Sequence, residues 1–149
     1  MSKSDGKACE QFAKDIIKEN NWAMLRLQDT KAASRYLPPQ PADFMGAVQG
    51  IPVLLECKSS LEAETFKDCP LKSYVKPTQV GYYKLWQRSG GSGIFMFYSE
   101  KTKNVELWNA TLVLHAYTNG WGTQVPFYSG IKNKKETAKE IVNFIFKGH

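Results

Sequence analysis

At 149 residues and 16.9 kDa, the chain can build one hydrophobic core but has little room for a second domain. Hydrophobic residues at 42% and aromatics at 13% exclude an intrinsically disordered chain, while 20 Lys and Arg against 14 Asp and Glu give a net charge of +6. That excess suits a nucleic acid, an anionic membrane surface or an acidic protein as partner; no apolar run approaches the ~20 residues of a membrane span.

In chain order, Ala8, Phe12, Ile16 and Ile17 recur at helical spacing and predict a helix over Gly6–Glu19, with Ser4 or Asp5 as its cap and Asn20-Asn21 ending it. Trp22–Gln28 alternates as a strand. Asp29–Ala42 carries Pro38, Pro39 and Pro41 and predicts an irregular connection. Asp43–Met45 reads as a short strand, Gly46–Gly50 as a turn and Ile51–Lys58 as a longer strand, which together make a hairpin. Ser59–Lys76 reads as a polar loop with bases at Lys67, Lys72 and Lys76. Pro77 suits a first helical turn, and Thr78–Arg88 follows as a helix with Val80, Tyr83, Leu85 and Trp86 as packing residues. Gly93–Ser99 is a buried strand that pairs with Asn104–Trp108. Ala110–Tyr117 can form a short helix, Gly120–Gly130 an aromatic-rich loop, and Lys134–Phe146 a closing helix with Ala138, Ile141, Val142 and Ile145 inward. The order of long elements, α-β-β-β-α-β-β-α, predicts an α/β (α+β) domain spanning the whole chain, with a mixed sheet flanked by helices.

Cys9, Cys57 and Cys69 are odd in number and lack CxxC spacing. They argue against a disulfide scaffold or a thiolate zinc site and for a reducing cytoplasm, as does an amino-terminal segment without the apolar stretch of a secretory signal. The excess positive charge falls in Lys67–Arg88 and Lys132–Lys147. Lys31, Ser34 and Arg35 precede Asp43 in the proline-rich connection, where a phosphate-gripping loop or an ordinary solvated loop fits equally. His115 lies in an apolar segment and reads as a core or surface histidine, so a Ser-His-Asp or zinc-hydrolase arrangement has no support. Trp108, Trp121, Phe127 and Tyr128 read as core or dimer-packing residues.

The chemistry-bearing stretch is Pro41-Ala-Asp43 followed by Glu56-Cys57-Lys58. Strand alternation puts Leu54, Glu56 and Lys58 on one face and Val53, Leu55 and Cys57 on the other. The hairpin brings Asp43 beside them. Two neighbouring carboxylates repel unless a proton or cation lies between them, and carboxylate oxygens suit Mg²⁺. A lysine beside such an ion can orient water and stabilise charge developing on a phosphate. The plainer explanation is an edge-strand ion pair.

With its glycines Gly46 and Gly50 and its 13-residue Asp43–Glu56 spacing, this stretch resembles the PD-(D/E)xK nuclease superfamily, most of all RecU-type Holliday junction resolvases. Phe66, Pro70-Leu71, Gln79, Gly90-Gly91 and the strand Ile94–Tyr98 are similar to the same family. The resemblance covers about Gly6 to Tyr117, and it implies a restriction-endonuclease-like fold. It further implies Asp43, Glu56, Lys58 and Gln79 as catalytic residues. Glu10, Asp43, Glu56 and the backbone carbonyl of Cys57 are the implied ligands of Mg²⁺, with Mn²⁺ as a substitute. The 14-residue Asp29–Ala42 connection is shorter than the projecting stalk of RecU-type enzymes; archaeal-type resolvases resemble the same fold and lack that stalk. The implied function is a structure-selective endodeoxyribonuclease that cuts four-way DNA junctions as a homodimer. Lys31, Ser34, Arg35, Lys72 and Lys76 are its candidate DNA contacts. Two alternatives stay open: a restriction-like or repair nuclease of the same superfamily, and a non-catalytic DNA-binding module.

Overall fold

The computed structural model describes residues 6–27 and 40–147. Six strands form one mixed sheet in sequential order: β1 (Ala23–Arg26), β2 (Phe44–Val48), β3 (Ile51–Ser60), β4 (Ser92–Ser99), β5 (Asn104–Asn109) and β6 (Tyr128–Ile131). All neighbours are antiparallel except β3 and β4, which run parallel. A parallel pair needs a crossover, and here α2 (Leu71–Tyr74) and α3 (Pro77–Arg88) supply it. The sheet separates two apolar layers, because successive side chains of each strand leave on opposite faces. Val53, Leu55, Cys57, Ile94, Met96 and Leu107 pack under α1 (Lys7–Glu19) and α5 (Lys134–Phe146). On the other face Leu54, Phe95, Phe97 and Trp108 pack under α2, α3 and α4 (Ala110–Asn119). The domain is thus a mixed α+β fold with helices on both faces of a six-stranded sheet.

α1, β4, α3 and α5 occupy the stretches that periodicity predicts. Asn20 ends α1, its amide donating to the Ile16 carbonyl at 2.8 Å, and Asn21 turns through a positive φ of 54°. The proposed caps Ser4 and Asp5, and most of the Asp29–Ala42 connection, lie outside the described residues.

The expected turn over Gly46–Gly50 shrinks to Gln49-Gly50, both at positive φ, as a two-residue hairpin requires. Gly46 instead sits inside β2, opposite Met24, where a Cβ would lie 2.0 Å from the Ala23 carbonyl oxygen. The glycine is there because β1 crosses at close range. Gly46→Ala is expected to lower stability by about 3 kcal/mol, read as an earlier urea midpoint. Gly81→Ala, in an exposed part of α3 with nothing within 4 Å of the new Cβ, is expected to stabilise by up to about 1 kcal/mol.

Ser59–Lys76 is not the polar loop that its composition suggests. Phe66, Cys69, Leu71, Tyr74 and Val75 are all buried, and Phe66 stacks on Phe97 with ring centroids 5.3 Å apart. The buried Glu106 carboxylate organises this segment, accepting from the Phe66 backbone N–H at 3.0 Å and from the Trp108 indole at 2.9 Å. β6 lies where a loop was expected, a four-residue edge strand paired to β5, with Tyr128 and Gly130 half-buried and Ser129 and Ile131 exposed. Trp108 and Trp121 pack against each other in the core, and Phe127 stacks on Phe144 at 4.2 Å. Leu85, predicted to pack, is exposed. Among the described residues, no helix is long and apolar enough to cross a membrane.

Candidate active site

The site arises because β3 outlasts its partner. β2 pairs with β3 only from Ile51 to Leu55, whereas β4 accompanies β3 as far as Ser60. Continuing the register places Asp43, just before β2, opposite Glu56. There Asp43 Oδ2 accepts the Cys57 backbone N–H at 2.8 Å, occupying a donor that β2 no longer reaches. A residue's N–H and C=O leave an extended strand on the same side, so the Cys57 carbonyl faces this same space beyond β2.

Glu56 and Lys58 project on the α3 side of the sheet, as alternation predicts. Lys58 Nζ lies 2.8 Å from Glu56 Oε2 and keeps its side chain 17% exposed against 6% for Glu56. Gln79, in the first turn of α3, donates its Nε2 to the same oxygen at 2.9 Å, while its Oε1 accepts the Lys76 N–H at 3.2 Å. Glu56 Oε2 therefore has two donors. Glu56 Oε1 is buried with no hydrogen-bond partner, an arrangement that is costly in a dry interior.

Asp43 is pushed up from 3.8 to about 8, first by burial and then by the neighbouring Glu56 carboxylate; Glu10 adds to the rise, and the Cys57 N–H and Lys58 oppose it. Folded protein thus holds a proton that the unfolded chain releases above pH 3.8. Stability is therefore expected to fall by a few kcal/mol as pH rises from about 4 to about 8, and to level off above. Urea titrations of wild type and Asp43→Asn check this, since the variant should lose that slope.

Glu10 sits in the first turn of α1, near enough to act on the charge of Asp43, with its carboxylate held by Arg26 at 2.7 Å. Among the described residues, no three His, Cys, Asp and Glu side chains are grouped closely enough to hold a metal ion. The pair Asp43 and Glu56 nonetheless suits a hard divalent cation. An orphaned carboxylate oxygen and a carboxyl group pushed towards its protonated form by burial and by Glu56 both gain from positive charge there. Cys57 is not a thiolate ligand, because contact with Cys9 and burial push its thiol well above its usual range. Its Sγ packs against the Cys9 carbonyl in the core, at 3.8 Å.

Of the candidate DNA contacts, Lys31, Ser34 and Arg35 lie outside the described residues. Lys72 is exposed with its ammonium 3.7 Å from the centre of the Tyr117 ring, and Lys76 is exposed at the start of α3. Lys67 is engaged by the Gln124 carbonyl at 2.9 Å, where it ties down the loop before β6. His115 is exposed on α4 beside Asn119.

Tyr83 is a site residue that composition and spacing did not single out. It follows Gln79 by one helical turn and faces the sheet with it, packed on Gly93 and stacked on Phe95 at 5.1 Å. Its hydroxyl is buried without a partner, and burial together with the Glu56 and Asp43 carboxylates raises it well above its ordinary range. The available signal was the i, i+4 spacing from Gln79. No protein-family model matches the chain, and no match was found among curated proteins.

Proposed function

We propose that this chain is a Mg²⁺-dependent endodeoxyribonuclease of restriction-endonuclease-like fold that cuts four-way DNA junctions as a homodimer. The observation that carries the reading is the meeting of Asp43, Glu56, Lys58 and Gln79 at the point where β3 runs past β2. The element order through β5 and the +6 charge support it as well.

Asp43, Glu56 and the Cys57 carbonyl are the groups that would hold the ion, with Glu10 available if Arg26 releases it. A bound divalent cation supplies positive charge to stabilise the phosphate as negative charge develops on it. Gln79 holds the Glu56 carboxylate in place through the Oε2 hydrogen bond. The Lys58 ammonium, partly open to solvent, can donate to a phosphate oxygen. In the proposed step the oxygen of water bonds to phosphorus as the P–O3′ bond breaks. The products are 5′-phosphate and 3′-hydroxyl ends, with the water protons passing to the leaving oxygen and to solvent. A two-fold dimer places two such sites on the two strands that a junction requires to be cut.

The test compares a four-way junction with a linear duplex of equal length, with and without Mg²⁺. Paired, symmetric nicks on the junction that depend on Mg²⁺ support the reading. Mg²⁺-dependent nicking without junction preference replaces it by a general nuclease of the same superfamily. Binding with no cleavage replaces it by a DNA-binding module, in which the Lys58–Glu56 pair is structural.

A further inference from the structure

Two grooves flank α1, and they differ in charge. The one against α5 contains Glu19, whose carboxylate takes the Lys134 ammonium at 2.6 Å. The other, about 570 Å³ between α1 and β1, has no acidic residue in its lining. The exposed Lys14, Lys18, Asn21 and Arg26 form its rim, and the buried Trp22 and Phe44 lie in its floor. The acids of α1 do not neutralise that rim. Glu10 is held by Arg26 at 2.7 Å, Asp15 accepts the Gln11 side-chain amide at 2.9 Å, and Glu19 is taken by Lys134. Lys14 and Lys18 have no acid partner among the described residues. They stand i, i+4 on one helix face, where like charges oppose helix formation unless an anion lies against them.

The groove leads to the candidate site. Arg26, at its end, reaches Glu10 and the Leu27 carbonyl, and the Leu27 backbone N–H donates to the Asp43 carbonyl at 2.7 Å. Cations on a rim above an apolar floor fit a sugar–phosphate backbone, whose charges lie on its outer edge. A second copy fits less well. A two-fold contact here would set Lys14 and Lys18 against their own counterparts, and a contact with acids elsewhere on the chain would not close. We propose that the α1–β1 groove holds the phosphate backbone of the DNA flanking the cut, with Lys14 and Lys18 as its phosphate contacts. This rests on the nuclease reading and fixes the side of the site along which the substrate runs.

The test measures the affinity of a four-way junction across a salt series in metal-free buffer. Lys14→Ala/Lys18→Ala is expected to weaken binding at least about tenfold at 0.1 M salt and to make the slope of log K against log[salt] shallower by about 2. Lys135→Ala/Lys139→Ala, which removes the same charge from the groove against α5, should leave the slope unchanged. An unchanged slope in the first variant overturns the groove, and so does an equal fall in both, which would report net charge alone. A wild-type dimer that only Lys14→Ala/Lys18→Ala converts to monomer in sedimentation overturns it in favour of a second copy. Polyglutamate that binds wild type as tightly as DNA of equal charge, with the same loss in that variant, overturns it in favour of an acidic protein. If wild type cleaves in Mg²⁺ while the slope ignores Lys14 and Lys18, the groove alone fails. If the slope falls as expected but no cleavage occurs, the nuclease reading alone fails.

Discussion

Asp43→Asn and Glu56→Gln are each expected to abolish Mg²⁺-dependent cleavage, with rates falling by at least about 10³-fold, while DNA binding persists or tightens. Glu56→Gln removes a negative charge, Asp43→Asn removes the carboxyl that a bound cation would deprotonate, and each leaves the shape of the side chain intact. Binding should hold because neither variant adds negative charge near the phosphate. The same variants separate a site from a structural cluster through stability. Asp43 is forced towards its protonated form by burial and by Glu56, so the neutral Asn costs the fold nothing at pH 8 and is expected to stabilise it. Wild type should also gain thermal stability from Mg²⁺ at that pH, and Asp43→Asn should gain little. Full cleavage in either variant would sink the assignment of these carboxylates.

Lys58→Met is expected to lower cleavage by several orders of magnitude and, unlike an exposed-lysine variant, to destabilise the fold. The ion pair with Glu56 at 2.8 Å makes the reason explicit. Removing the ammonium leaves a buried carboxylate with only the Gln79 amide on Oε2 and nothing on Oε1, which costs about 3 kcal/mol. Glu56→Gln/Lys58→Met removes both charges, and its stability should return towards that of wild type. Cleavage should stay absent in the double variant. A Lys58→Met protein that unfolds more readily yet keeps its specific activity, measured on the folded fraction, would identify the pair as purely structural.

The long helices and the inner strands were legible along the chain because their signals are local. The 3.6-residue spacing of Phe12, Ile16 and Ile17 and the unbroken apolar run Ile94–Tyr98 need no distant partner to be read. The pairing of Glu56 with Lys58 was legible for the same reason, since alternation in β3 already puts both on one face. Tertiary structure decided the rest. Gly46 looked like a turn residue, and only the approach of β1 within 2.0 Å of its missing Cβ shows why it belongs in a strand. The stretch Phe66–Tyr74 looked polar by composition, but its few apolar residues fill the space under α4, held there by Glu106 from 40 residues away. Gln79 could be placed on a helix from sequence, yet its contact with Glu56 depends on how α3 crosses the parallel strands. The same crossing buries Tyr83 and leaves Tyr82 and Leu85 in solvent. Residue types and local periodicity thus determined which groups could act. The lengths at which neighbouring strands stop, and the angle of one helix over them, decided which of those groups meet.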